Sequence, residues 1–254
     1  MSKGKRLFRV IRGMVNFFYP QTEFIDFEKT SEPVIYVGNH AQMHGPIICE
    51  LYMPDSCYTW CAGQMMHLKD VPEYAYEDFW SEKPALIKPF FKALSYIIAP
   101  FSVAIFNNAR TVAVYHDTRI LSTFRETVNK LSEGKSIVIF PEHNERYNNV
   151  VYDFQNKFVD VARMYHRKTG KELKFVPVYI APRLKKAYFG KAVTFSPEAD
   201  IESERQRICR HLMGKITEMA TSLPPHTVVP YRNMPKKKYP TNVAEVKEIE
   251  KTRC

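Results

Sequence analysis

The chain has 254 residues, 45% hydrophobic and 13% aromatic, which excludes a disordered polymer and suits one large α/β domain with a sizeable core. A formal net charge of +10 leaves three kinds of partner: nucleic acid, an anionic membrane surface or acidic small molecules. The cysteine count is odd (Cys49, Cys57, Cys61, Cys209, Cys254) and the chain is too long to need staples, so reduced thiols in a cytosolic setting are the simplest reading.

The first eighteen residues carry Lys3, Lys5, Arg6, Arg9 and Arg12 and no acid. Leu7, Phe8, Ile11, Met14, Val15 and Phe18 recur at helical spacing, with the basic residues mostly off that stripe. This pattern predicts an amphipathic helix over residues 1–20 that lies in a lipid headgroup layer; a helix packed on the core is the alternative. No small-residue cleavage site follows it, so a signal peptide is not expected.

Pro33 to Val37 reads as a buried strand that ends in Gly38-Asn39 and turns through His40-Ala41-Gln42-Met43-His44. Pro46 suits the first turn of a helix through Leu51. Residues 84–106 are long aromatic and aliphatic runs, read as an apolar helix or a plain core helix. Lys88 and Lys92 interrupt the best span candidate, Ala85 to Phe106, so no ordinary transmembrane helix is expected. Thr111 to Tyr115 is a second strand, Ile120 to Leu131 a helix ended by Gly134, and Ser136 to Phe140 a third strand stopped by Pro141. A helix follows over Phe154 to Lys168.

Phe175 to Ile180 is a fourth strand, where Pro177 argues for an edge or a bulge. A short strand over Val193 to Phe195 and a long amphipathic helix over Ile201 to Leu223 complete the body. The alternation predicts an α/β domain over 21–224, with helices covering the sheet. Residues 225–254, rich in proline and lysine (Lys236, Lys237, Lys238), read as a surface tail. No metal site is expected, because Cys57-x3-Cys61 has no second pair of ligands at a suitable spacing.

Two polar segments each follow a buried strand directly: Asn39-His40-Ala41-Gln42-Met43-His44-Gly45-Pro46 and Phe140-Pro141-Glu142-His143-Asn144-Glu145-Arg146. Parallel strands would deliver both to one end of the sheet, where open α/β folds place their chemistry. An imidazole there can act as a base near neutrality, given a partner that fixes its tautomer.

These segments resemble the first and third sequence blocks of the lysophospholipid (glycerol-phosphate) acyltransferase family, Asn-His-x4-Asp and Phe-Pro-Glu-Gly-Thr-Arg. Leu131 to Glu142 follows that family's approach to its third block, and Val176-Pro177-Val178-Tyr179-Ile180-Ala181-Pro182 resembles its fourth. The resemblance implies a mixed, mostly parallel sheet flanked by helices. It implies transfer of an acyl group from an acyl thioester, carried by coenzyme A or acyl carrier protein, to a lysophospholipid or related hydroxyl. No other cofactor is implied. His40 would be the base. Glu142, Arg146 and, from Val112 to Arg119 as the second block, Arg119 would bind the acceptor phosphate. The implied setting is the cytoplasmic face of the cell membrane, with membrane lipids as partners. Nucleic acid is not expected, since no such motif occurs and the charge clusters lie outside the α/β body.

The chain departs from the family at two places. Gly45 stands where the family has the aspartate that partners the base, and His143-Asn144-Glu145-Arg146 puts the arginine one place late. Three arrangements are open for His40: a carboxylate from elsewhere (Glu50, Asp55 or Asp117), a two-histidine arrangement with His44, or a catalytically dead, lipid-binding relative of the same fold.

Overall fold

The computed structural model describes residues 3–80, 84–115, 117–143 and 148–243. The chain forms two compact units, Met1–Pro20 with Tyr58–Thr123, and Gln21–Cys57 with Phe124–Cys254.

The larger unit is built on a mixed, mostly parallel sheet. Its central strand, β2 (Val34–Gly38), is buried on both faces and lies parallel to β5 (Ser136–Ile139) on one side and β6 (Lys174–Ala181) on the other. A continuous apolar run such as VIYVG fits that central place. Beyond β6 come β7 (Lys186–Phe189), antiparallel, and β1 (Glu23–Ile25), parallel to β7. The two-residue β8 (Val193–Thr194) pairs with the first residues of β6.

Pro177 does not place β6 at an edge. β7 pairs with Val178 to Ala181 and β8 with Lys174 and Phe175, so Pro177 falls in the gap between them. Its carbonyl, which points to the same side as its ring nitrogen, accepts the Gly190 N–H at 2.9 Å there. Among the described residues no strand pairs with position 177 on that side, so the proline is tolerated in an inner strand.

Helix α7 (Ile201–Thr221) packs along β6 with Ile208, Leu212, Met213, Ile216 and Ala220 buried. Asp200 caps it, its carboxylate accepting the Ser203 N–H at 3.0 Å. Arg205 of α7 makes a bidentate pair with Asp160 of α6 (Asp160–Thr169), at 2.8 and 2.6 Å. Helix α2 (His44–Tyr52) follows the turn after β2.

The proline- and lysine-rich segment after Pro224, read as a surface tail, is held by specific hydrogen bonds as far as residue 243. Thr227 bridges Thr241, the Val228 N–H donates to the Pro240 carbonyl, and Val228 and Val229 are buried. Asn242 accepts the His226 N–H and donates to the Ala220 carbonyl. The His226 Nδ1–H donates to the Pro224 carbonyl, which leaves Nε2 to accept from the buried Tyr179 hydroxyl of β6, 2.8 Å away. Proline fixes the turns, while these side chains supply partners for the backbone that prolines leave without a ladder.

The smaller unit holds α1 (Lys3–Phe18), α3 (Val71–Trp80), α4 (Lys88–Phe106) and the parallel pair β3 (Cys57–Ala62) and β4 (Thr111–Val114), joined over Thr59 to Ala62. α3 and α4 close on a core of Met65, Val71, Ala75 and Ala99. α1 lies against α4. The 22 residues Ala85–Phe106, a 3₁₀ turn plus α4, are long and apolar enough to cross a membrane. The two lysines do not prevent this, because both sit in the first turns of α4. Helix α5 (Ile120–Ser132) carries the chain from this unit into the other.

Candidate active site

The parallel pairing of β2 and β5 brings His40 and Glu142 to one end of the sheet. His40 lies two residues past β2 and Glu142 three past β5. Asn39, 1% exposed, extends the ladder by side chain: Nδ2 donates to the Ile180 carbonyl at 3.0 Å and Oδ1 accepts the Ile180 N–H at 2.7 Å. This pins the chain one residue before His40 to the end of β6.

The turn that follows is tight. Ala41 and Gln42 both have left-handed backbone, φ 47° and 55°, which costs a non-glycine residue about 1–2 kcal/mol each. The reversal returns the Gln42 carbonyl to the His40 ring, where it meets Nδ1. A carbonyl only accepts, so Nδ1 carries the proton and Nε2 holds the free lone pair. Among the described residues, no carboxylate reaches the ring. The ring is walled by Phe140 and Tyr231, with centroids 5.2 and 5.6 Å away. Burial pushes the His40 pKa down to about 4, so the imidazole is neutral at pH 7.

Position 45 explains why no aspartate stands there. A Cβ at Gly45 would lie 2.6 Å from the His40 carbonyl oxygen and 2.9 Å from the Phe140 ring. The Gly45 N–H donates to that same carbonyl at 3.0 Å, which opens α2. The backbone is drawn too close for any side chain.

Glu142 is 4% exposed and works on backbone. One carboxylate oxygen accepts the His40 N–H, and the other accepts the Tyr152 N–H at 2.8 Å. It therefore links the His40 turn to the segment that returns after Asn148, whose side chain caps Val150 and Val151 and donates to Thr217 of α7. The family resemblance implies a place for Glu142 at the acceptor phosphate; in the structure both of its carboxylate oxygens are engaged by main-chain N–H groups. Burial pushes its pKa up to about 7.

The segment after Pro224 completes the site, and nothing in the sequence pointed to it. The Gln42 side chain donates to the Arg232 carbonyl at 3.3 Å and accepts from the Tyr239 hydroxyl at 3.1 Å. The residue whose carbonyl orients His40 is thus held by the C-terminal segment. His44, the first residue of α2, is half-buried; burial and the charges of Arg183 and Lys236 lower its pKa. Both charges therefore act on His44 beside the turn. Lys236 belongs to a visible lysine run, whereas Arg183 follows β6 with no motif to announce it.

Of the other predicted residues, Glu50 is half-buried on α2 and Asp55 lies in the loop that follows it. Asp117 and Arg119 belong to the smaller unit and pair with each other at 2.7 Å. Arg119 holds the Asp117 pKa at about 2, and its guanidinium lies 4.0 Å over the Tyr115 ring. It borders an open depression with Met66, His67, Lys69 and Asp70. Arg146 lies outside the described residues. Among the described residues, no three His, Cys, Asp or Glu side chains gather as metal ligands.

No family model and no curated protein matches the sequence. Among solved structures, the chain is similar to the 1-acyl-sn-glycerophosphate (LPA) acyltransferase PlsC of Thermotoga maritima, at 12% identity and a TM-score of 0.40, covering 84% of this chain and 78% of that one.

Gly45→Asp is expected to restore nothing: the side chain meets backbone, and stability falls by about 1–3 kcal/mol in urea unfolding. A more active, equally stable G45D protein would contradict this packing. A second expectation concerns pH. A carboxyl raised from 4.5 to about 7 contributes stability below the lower value and loses it as pH rises through 7. A histidine lowered from 6.5 to about 4 contributes above 6.5 and loses it as pH falls toward 4. The two slopes oppose each other between these limits. Glu142→Gln removes the first, so its stability relative to the parent rises by about 3 kcal/mol between about pH 5 and about pH 8. A pH-independent difference would place Glu142 outside the buried role.

Proposed function

We propose that the chain is an acyltransferase that moves an acyl group from a thioester of coenzyme A or acyl carrier protein to a hydroxyl acceptor of the lysophospholipid class, at a membrane surface. The observation that carries this reading is the state of His40. It is neutral at pH 7, its Nδ1–H is engaged by the Gln42 carbonyl, and its Nε2 lone pair is left for a substrate proton. Nε2 takes the proton of the acceptor hydroxyl, the oxygen attacks the thioester carbonyl, and the departing thiolate recovers the proton from the imidazolium.

Two further features support the reading. The motif order around His40 and Glu142 is that of the acyltransferase family it resembles. The charges of Arg183 and Lys236 beside His44 suit an anionic group on donor or acceptor. A carbonyl fixes the tautomer as an aspartate does, but it lacks the negative charge that steadies the imidazolium. Turnover is therefore slower than with a carboxylate partner, by up to about 10⁴-fold where an orienting aspartate is lost in comparable triads. That same lack of charge is the one observation favouring the second reading, a lipid-binding protein of this fold without catalysis.

Purified protein is to be incubated with acyl-CoA or acyl carrier protein thioesters and a panel of lysophospholipids. His40→Ala is expected to lower the transfer rate by about 10²–10⁴-fold. The acid limb of kcat/KM is expected near pH 4, well below an ordinary histidine. Transfer unaffected by His40→Ala removes His40 as the base, and no transfer to any acceptor favours the second reading.

A further inference from the structure

The segment after Pro224 is built as a loop with a neck and a tip. At the neck, Thr227 bridges Thr241 and the Val228 N–H donates to the Pro240 carbonyl. Asn242 ties the neck to the end of α7: its Oδ1 accepts the His226 N–H, and its Nδ2 donates to the Ala220 carbonyl at 2.8 Å and the Leu223 carbonyl at 3.1 Å. The His226 ring holds the Tyr179 hydroxyl of β6. Both α7 and β6 belong to the unit that carries His40, so the neck is anchored without help from the His40 turn. The tip, Tyr231 to Tyr239, reaches that turn. The lysine run has a local part in this. Lys236–Lys238 form a 3₁₀ turn between Pro235 and Pro240, and the Tyr239 N–H donates back to the Lys236 carbonyl at 3.2 Å. The prolines fix φ on either side, which sets where Tyr239 points.

The tip meets the turn in three places. The Tyr231 ring stands edge-on to the His40 imidazole, at an interplanar angle of 75°. The Arg232 carbonyl accepts from Gln42 Nε2 at 3.3 Å, and the Tyr239 hydroxyl donates to Gln42 Oε1 at 3.1 Å. The orientation of the amide is fixed by its partners. A main-chain carbonyl only accepts, so it faces the NH₂ group and leaves Oε1 to the hydroxyl. Any residue at position 232 would supply that carbonyl, whereas the hydroxyl comes from Tyr239 itself. Gln42 is also where strain and chemistry meet: its φ is 55°, and its own carbonyl lies on His40 Nδ1. A non-glycine residue in left-handed backbone relaxes unless its surroundings hold it. Relaxation would swing the carbonyl off Nδ1 and remove the acceptor that selects the Nε2 lone pair.

We propose that Tyr239 is a positioning residue for the base: through the Gln42 side chain, its hydroxyl keeps the Gln42 carbonyl on His40 Nδ1 and so keeps Nε2 free for the substrate proton. The line of contact runs from hydroxyl to amide, from the amide to its own main chain, and from that carbonyl to the imidazole. Tyr239 touches neither the ring nor the reacting atoms in this account. Its effect falls on which ring nitrogen carries the proton, and therefore on turnover rather than on substrate binding. This inference rests on the reading of His40 as the base given above.

The test compares the full chain with Tyr239→Phe, Gln42→Ala and the double variant, each labelled with ¹⁵N at histidine and measured at about pH 8, where the imidazole is neutral. Tyr239→Phe keeps the ring and removes only the hydroxyl. Its His40 ring nitrogens are expected to move toward each other, for a share of the Nε2–H form of about a tenth or more, because the factor of about three to ten that one hydrogen bond supplies is withdrawn. Gln42→Ala is expected to move them at least as far, and the double variant no further than Gln42→Ala, since the hydroxyl then has nothing to act through. A loss of global stability by itself would leave the ring nitrogens of the folded protein where they are. With acyl-CoA and a lysophospholipid acceptor, Tyr239→Phe is expected to lower kcat by about three- to tenfold with KM unchanged. Three results would each overturn the proposal: ring resonances unmoved in Tyr239→Phe, a double variant that moves beyond Gln42→Ala, or a raised KM with kcat intact. A parent protein that transfers nothing to any acceptor removes the reading of His40 as base, while the ring resonances decide for or against Tyr239 without turnover.

Discussion

The contact between the Gln42 carbonyl and His40 Nδ1 is the constraint on which the site turns. It exists because two successive residues, Ala41 and Gln42, accept left-handed backbone, and because the Gly45 N–H returns to the His40 carbonyl. Such a turn does not hold itself. Asn39 fixes its entry to β6, Glu142 holds the His40 N–H from the end of β5, and the Gln42 side chain is caught between Arg232 and Tyr239. Three separate stretches of chain thus converge on one strained turn.

A backbone carbonyl at the imidazole differs in its chemistry from a carboxylate. It sets the tautomer without adding a charge, and in a buried setting that leaves the imidazole neutral far below its usual range. Glu142, the nearest carboxylate in the construction of the turn, is itself driven toward protonation by burial. The site is therefore less negative than a His-carboxylate pair. The charges of Arg183 and Lys236 act on His44 beside it, and among the described residues no carboxylate reaches the His40 ring.

Much of this was legible in the sequence. The buried runs Val34 to Val37, Ser136 to Ile139 and Phe175 to Ile180 became the central strands, because apolar runs bounded by turn residues leave few alternatives. The two polar segments met at one sheet end for the same reason. β1, β3 and β7 and helix α3 were not read, since Glu23–Ile25 is only three residues long and Val71–Trp80 mixes acids and aromatics without a clean stripe. The partner of His40 was out of reach in principle. A main-chain carbonyl has no letter in a sequence, and only the Gly45 contact with the His40 carbonyl reveals why the aspartate is missing. The C-terminal segment was read as a surface tail because prolines and lysines signal exposure; its order as far as residue 243 comes from Asn242, His226 and Tyr239, single side chains with no pattern.

The most direct measurement is long-range ¹⁵N–¹H NMR of histidine-labelled protein, with His40→Asn used to assign the signals. If the Gln42 carbonyl orients the ring, His40 shows a protonated Nδ1 and an unprotonated Nε2, unchanged from neutral pH down to about pH 5. A protonated Nε2, or a titration near the ordinary histidine value of about 6.5, would contradict it.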